Sequence, residues 1–202
     1  MFNKFPLKGK RVVAIVSGGG SDDVMDAISQ NVDLFITGEF AHEHFHFAKE
    51  AGIQAAKQGY TLVSGNAAGA DQAAQQACLE AGGSVISVVA TELEKLEAEP
   101  RVLYLAEDGF DHPFSAQRAL SRNRVIHSLG EKTLAAQCSL EKGGTWDGCV
   151  RNLRFHWSPV FCFADGTKAV ERLLDMGAEA VGMEALSGIG ALRGYDRSFL
   201  DE

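Results

Sequence analysis

The 202-residue chain has little proline (4 residues), only 4 cysteines and few aromatics (8%). The cysteines at 78, 138, 149 and 162 lie far apart, and no C-x-x-C pair occurs. That spacing excludes a zinc ribbon and a dithiol redox pair, and it reads as reduced, mostly buried thiols. No apolar run approaches the roughly 18 residues of a membrane span, and the opening residues lead into no signal-peptide pattern. The expectation is a cytoplasmic protein without a membrane partner. Positive charge is also short: 19 Lys and Arg face 27 Asp and Glu, for a net charge of −8. A body this acidic is a poor match for indiscriminate coating by nucleic acid.

The scarce basic residues are concentrated. Between Pro113 and His156 lie Arg118, Arg122, Arg124, Lys132, Lys142, Arg151 and Arg154, against Glu131, Glu141 and Asp147. This segment carries +4 and the remainder −12. A local basic surface on an acidic body suits a phosphate-bearing ligand with a defined footprint.

Glycine is plentiful, at 22 residues, and much of it punctuates a regular alternation. Short β-branched runs at Arg11–Ser17, Val32–Thr37, Tyr60–Ser64, Ser84–Val89, Arg101–Leu105, Thr133–Gln137 and Pro159–Phe163 predict strands. Helical spacing predicts helices at Asp22–Ser29, His42–Gln58, Ala70–Ala81, Ser115–Ser128, Thr145–Phe155 and Lys168–Met176. Runs that are continuous rather than alternating belong to parallel strands covered on both faces. The fold class expected is therefore α/β, a doubly wound, mostly parallel, Rossmann-like sheet in a single domain. Its expected extent is 1–183, with an opening β-α-β-α over about 10–58 and a second part over about 60–182. The Gly-rich stretch 184–202 reads as a tail, packed on the surface or partly disordered.

Ligands of such sheets bind beyond the carboxyl ends of the strands. Three glycine turns stand at that position: Ser17-Gly18-Gly19-Gly20, Thr37-Gly38-Glu39 and Ser64-Gly65-Asn66. A fourth, Lys142-Gly143-Gly144-Thr145, opens a predicted helix that Thr145 is placed to cap. Each turn aims free N–H groups at the rim and is a candidate anion cradle as well as an ordinary βα turn. Trp146, next to the fourth, reads as core, or as an aromatic able to stack a base.

His42 and His46 fall within an H-E-x-x-H pattern, two imidazoles one turn apart with Glu43 between. No third ligand follows downstream, so a solvated helix face competes with a metal site. His112, His127 and His156 stand alone, and no Ser-His-Asp, Cys-His or phosphate-loop pattern can be assembled.

From about Tyr60 to Gly182 the motifs are Val63-Ser64-Gly65-Asn66-Ala67-Ala68-Gly69-Ala70-Asp71, Pro113-Phe114, Arg122-Asn123-Arg124-Val125-Ile126 and Gly143-Gly144-Thr145. In order and spacing this resembles the Rossmann-like domain of the DprA/Smf DNA-processing family. That domain sits in a wider group that includes the Lonely Guy phosphoribohydrolases. The family loop carries arginine and a second glycine where this chain has Ala68 and Asn66. The resemblance implies binding of a nucleotide or single-stranded nucleic acid, with no catalytic residue and no cofactor, and a possible homodimer. The phosphate-binding residues it points to, with the first glycine turn, are Ser17, Gly18, Gly65, Asn66, Gly69, Asp71, Arg122, Asn123, Arg124, Gly143, Gly144 and Thr145. Arg122 and Arg124 are expected on a phosphate-facing surface. A phosphoribohydrolase-like enzyme, a metal-dependent hydrolase on the His42 helix and a composite scaffold are the alternatives.

Residues 10–50 are different. Val12 to Asp22, then Val32-Asp33-Leu34-Phe35-Ile36-Thr37-Gly38-Glu39 and the His-rich helix, resemble the GTP cyclohydrolase type 2-like dinuclear-metal family. The chain reads as a mosaic of the two, or as a DprA-like protein with a divergent start.

Overall fold

Strand β8 (Val160–Phe163) is buried at every position, as its unbroken apolar sequence requires of a strand covered on both faces. It belongs to a computed structural model that describes residues 3–7, 11–19, 34–39, 42–107 and 109–194. The chain divides into two compact units, residues 1–43 and 44–202.

In the first unit β1 (Asn3–Leu7) pairs antiparallel with β2 (Arg11–Gly19), and β2 pairs parallel with β3 (Leu34–Glu39). The register shifts between Val16 and Gly19, so Ser17 and Gly18 lie within an irregular strand end rather than in a turn after it. The helix expected at Asp22–Ser29 falls outside the described residues.

Helix α1 (His42–Lys57) begins at the boundary between the units. Beyond it the second unit alternates as the sequence predicts: β4 (Thr61–Ser64), α2 (Ala70–Glu80), β5 (Ser84–Val89) and β6 (Val102–Ala106). Then come α3 (Ala116–Ser121), α4 (Asn123–Leu129), β7 (Thr133–Ala135), α5 (Gly143–Phe155), β8, α6 (Lys168–Asp175) and β9 (Glu179–Val181). All strand pairs of this unit are parallel, in the orders β4-β5-β6 and β7-β8-β9. This is the α/β, Rossmann-like class with mostly parallel pairing that the sequence implies.

Packing follows from side-chain size. Phe47 of α1 is fully buried and sets its ring 4.7 Å from that of Phe163, in a cluster with Phe161, Val181 and Leu186. Gly52 lets α1 approach α2 closely, because a Cβ there would lie 2.2 Å from the Ala74 carbonyl oxygen. A second cluster joins Cys149 and Leu153 of α5 to Cys162 and to Val170 and Leu173 of α6. All four cysteines are free and buried.

Two expectations need correction. The helix expected over Ser115–Ser128 is interrupted at Arg122, the residue whose side chain is drawn inward beneath the strand ends. The stretch after Met183 is not all surface tail: Met183–Ala191 forms a 3₁₀ segment whose Leu186 and Ile189 are buried. Among the described residues no helix is long and apolar enough to cross a membrane.

Candidate functional site at the strand carboxyl ends

β4 and β7 each pair on one side only among the described strands, and they face each other across a cavity of about 640 Å³. From β4 the chain winds outward through β5 and β6, then returns to β7 and winds the other way. The cavity thus stands at the topological switch point, the usual place for a ligand in an open α/β sheet. Its carboxyl rim is formed by Gly65, Asp71, Arg122, Asn123, Gly144 and Thr145, which the sequence spreads over 81 positions.

The first turn leaves β4 at Ser64, whose hydroxyl accepts a hydrogen bond from Gln75 of α2. Asn66 turns the chain with a left-handed φ of 55°, a conformation asparagine tolerates better than most residues. The backbone N–H groups of Gly65 and Ala67 both donate to one oxygen of Asp71, at 3.0 and 3.2 Å. The cradle is occupied by the chain's own carboxylate.

Arg122 lies beneath this turn and not on the surface. Its side chain donates to the carbonyls of Gly65 and Val88, and only 9% of the residue is exposed. Gly65 is required by this approach, since a Cβ there would meet the guanidinium carbon at 2.6 Å. Nε is buried without a partner, and no carboxylate lies within salt-bridge distance among the described residues. Burial pulls the Arg122 pKa below its usual value, while the Asp71 charge opposes that shift. The expected surface role of Arg122 is therefore corrected: strand-end carbonyls outcompeted solvent for its donors. Arg124 does reach the surface, where it pairs with Glu107.

The second turn is built differently. The chain passes through positive φ at Glu141 (56°) and again at Gly143 (79°), the first residue of α5. Lys142 is the N-cap residue and gives no side-chain cap bond; Thr145, expected to cap, already lies in the first turn because α5 starts at Gly143. The Asn123 side chain donates to the Gly144 carbonyl at 2.9 Å and fixes this turn against α4. Among the described residues no side-chain cap bond forms at the α5 N-terminus, whereas Asp71 closes the first turn.

Below α5, His127 is buried and neutral. Its Nδ1 contacts Asn152 and Thr133, and both of these contact Ser158. Burial pushes its pKa down to about 4. Two residues that the sequence names without a site role stand at the rim or behind it: Phe114, in the loop after β6, lines the cavity, and the Arg118 guanidinium gathers that loop's carbonyls. The four-residue spacing of Arg118 and Arg122 was the available signal. Their shared inward direction was not legible from it.

The remaining candidates lie elsewhere. Ser17 and Gly18 belong to the first unit, in β2. Gly69 precedes α2 with a φ of 96° and caps it without a side chain. His46 is exposed on α1, and among the described residues no group of three or more His, Cys, Asp or Glu could hold a metal ion.

Comparison with known proteins divides the chain similarly. Residues 5–61 match the Duf34/NIF3 (NGG1p interacting factor 3) family model. Over 43 residues the chain is 56% identical to a GTP cyclohydrolase 1 type 2 homolog of Archaeoglobus fulgidus, covering 21% of this chain but only 18% of that protein. Among solved structures, DNA processing protein A from Streptococcus pneumoniae aligns with a TM-score of 0.57 at 23% identity, over 74% of this chain and 58% of that one. The Helicobacter pylori DNA processing protein A, solved for its single-stranded DNA binding mode, aligns at 0.55 and 20% identity, over 75% and 73%. The molybdenum cofactor carrier protein of Chlamydomonas reinhardtii aligns at 0.59 and 19% identity, over 89% and 96%. These likenesses show a shared fold, and the chain spans less than two thirds of the Streptococcus protein and under a fifth of the Archaeoglobus one. The DNA recombination-mediator protein A family model matches residues 37–185, nearly three quarters of the chain and the whole of the rim described above, and the chain belongs to that family.

Proposed function

We propose that this protein binds single-stranded nucleic acid, or a nucleotide, at the carboxyl rim between β4 and β7. The observation that carries the reading is Arg122, a guanidinium nine-tenths buried at the cavity wall with no carboxylate in contact among the described residues. A desolvated cation that no carboxylate touches is costly, and an anion bound at the rim offsets that cost. The adjoining N-terminus of α5, free of a side-chain cap, supplies backbone N–H groups and the positive end of the helix dipole. Phosphate is the anion that family membership favours, and binding of this kind needs no chemical step. Binding to DNA by the Helicobacter relative supports the same choice.

The test is a titration of fluorescent dT oligonucleotide at several salt concentrations. About three neutralised phosphates give a log–log slope near −2, at roughly 0.7 per contact. No binding at low salt, or a slope near zero, overturns the reading. A nucleoside monophosphate is the second reading, favoured by a cavity of about 640 Å³ rather than an open groove. Adenosine monophosphate that displaces the oligonucleotide at micromolar concentration, while longer oligonucleotides bind no better, identifies it.

A further inference from the structure

Single exposed apolar residues are ordinary on protein surfaces. Phe114 differs in how it is held. It is 67% exposed, yet it lines the mouth of the cavity, with Leu120 of α3 also exposed beside the same mouth. Its loop is fixed from beneath by Arg118. That guanidinium donates to Gly109 O at 2.7 Å, to Pro113 O at 3.1 Å, to Ala90 O at 3.3 Å and to His112 O. Three of these carbonyls belong to the Phe114 loop, and the fourth is that of Ala90, the residue after β5. Ser115 then caps α3 by accepting from the Arg118 N–H, so the loop is anchored on its helix side too. An aromatic ring is thus presented to solvent on a backbone with little freedom left to lose, a combination that lowers the entropic cost of binding.

We infer that Phe114 is a stacking platform for one nucleobase and that Arg118 is its positioning residue. The inference rests on the reading proposed above and adds a base contact to the phosphate contacts. Every base presents a flat π-face, so such a platform is indifferent to sequence. A ring standing beside an anion-attracting rim matches a nucleotide, flat at one end and charged at the other. Arg118 acts through the loop: its donors are engaged by carbonyls, and it takes no phosphate.

The experiment measures anisotropy of the full chain with two fluorescent probes of equal length, a dT oligonucleotide and an abasic oligonucleotide that keeps the phosphates. Phe114→Ala is expected to weaken dT binding about tenfold, the usual scale for loss of one stacked base, and to leave abasic binding unchanged. Phe114→Tyr keeps the ring and is expected to bind both probes as the wild type does. Arg118→Ala is expected to reproduce the dT loss while keeping the wild-type salt slope, whereas a phosphate-contacting arginine would flatten that slope by about 0.7. If the wild type binds dT and Phe114→Ala binds it equally well, or loses both probes alike, the platform is refuted and the phosphate reading stands. If Arg118→Ala flattens the slope, its positioning role is refuted. If the wild type binds neither probe, both readings fall together.

Discussion

The two glycine turns at the rim look alike in sequence and differ in what their N–H groups do. The Gly65 turn is closed: Asp71 accepts from Gly65 and Ala67, and Arg122 fills the space beneath. The Gly143 turn is open: α5 starts from Lys142 without a side-chain cap, and a Cβ on Gly143 would meet nothing within 4 Å. A glycine-rich βα turn is therefore not an anion cradle by composition alone. Whether a carboxylate several residues away folds back into it decides, and here one turn is closed by Asp71 while the other has no side-chain cap.

The sharpest way to break this contrast is to put the same methyl group into both turns. In Gly65→Ala the new Cβ lies within 3 Å of the Arg122 guanidinium. The cation must leave its two carbonyls, and breaking up a buried charge's contacts costs about 4 kcal/mol. Gly143→Ala meets no atom and carries only the strain of a left-handed alanine, about 1 kcal/mol. Urea unfolding of the two variants checks the difference. Equal losses would mean that the Gly65 turn is not the tighter of the two.

Acid separates the turns next. The Gly143 side rests on neutral His127, whose pKa is held at about 4 against an ordinary 6.5. As pH falls below 6.5 the unfolded chain takes up a proton that folded His127 refuses, so stability is lost between pH 6.5 and 4. The loss amounts to about 3 kcal/mol. The Gly65 side rests on a guanidinium that stays charged across that window. Asp165, held below its usual pKa by the Thr167 amide and His44 despite its burial, adds a loss only at still lower pH. Unfolding measured from pH 7 to 4 should show the decline in the wild type and a flatter curve in His127→Gln.

Asp71→Asn tests whether the closed turn can be opened. Removing the negative charge from the first turn of α2 frees its dipole end and leaves Arg122 without its nearest opposing charge. Affinity for dT should rise about fivefold, the equivalent of roughly 1 kcal/mol at a helix N-terminus. Unchanged affinity would show that the closed turn takes no part in binding in either state.

Much of the fold was legible because buried parallel strands write themselves as unbroken β-branched runs. Ser84–Val89 is found at its predicted bounds, and β8 differs by one residue. β9 was missed because two of its three residues are exposed, leaving no apolar run to read. The buried 3₁₀ segment was taken for tail because only Leu186 and Ile189, three apart, face inward among glycines. Sequence motifs name the residues that meet at the rim, Gly65, Asp71, Arg122, Asn123, Gly144 and Thr145, but not the directions of their side chains. Glycine spacing marks both turns, but that Asp71 bends back into one of them, and that Arg118 and Arg122 turn toward carbonyls, depends on strand ends that only the assembled sheet brings together.

The smallest expected effect concerns the arginine that does reach the surface. Arg124 is 61% exposed at its side chain and pairs with Glu107, which is 17% exposed. A pair whose arginine stands largely in solvent contributes at most about 1 kcal/mol, so Arg124→Ala should unfold almost as the wild type does. Arg122→Ala, formally the same change two residues earlier, leaves the Gly65 and Val88 carbonyls without their donor and should destabilise clearly. Binding divides the other way if phosphate exchanges with Glu107 for Arg124: the log–log salt slope for dT should then flatten by about 0.7 in Arg124→Ala. An unchanged slope would assign Arg124 to its ion pair alone and leave the rim's phosphate contacts to the open end of α5.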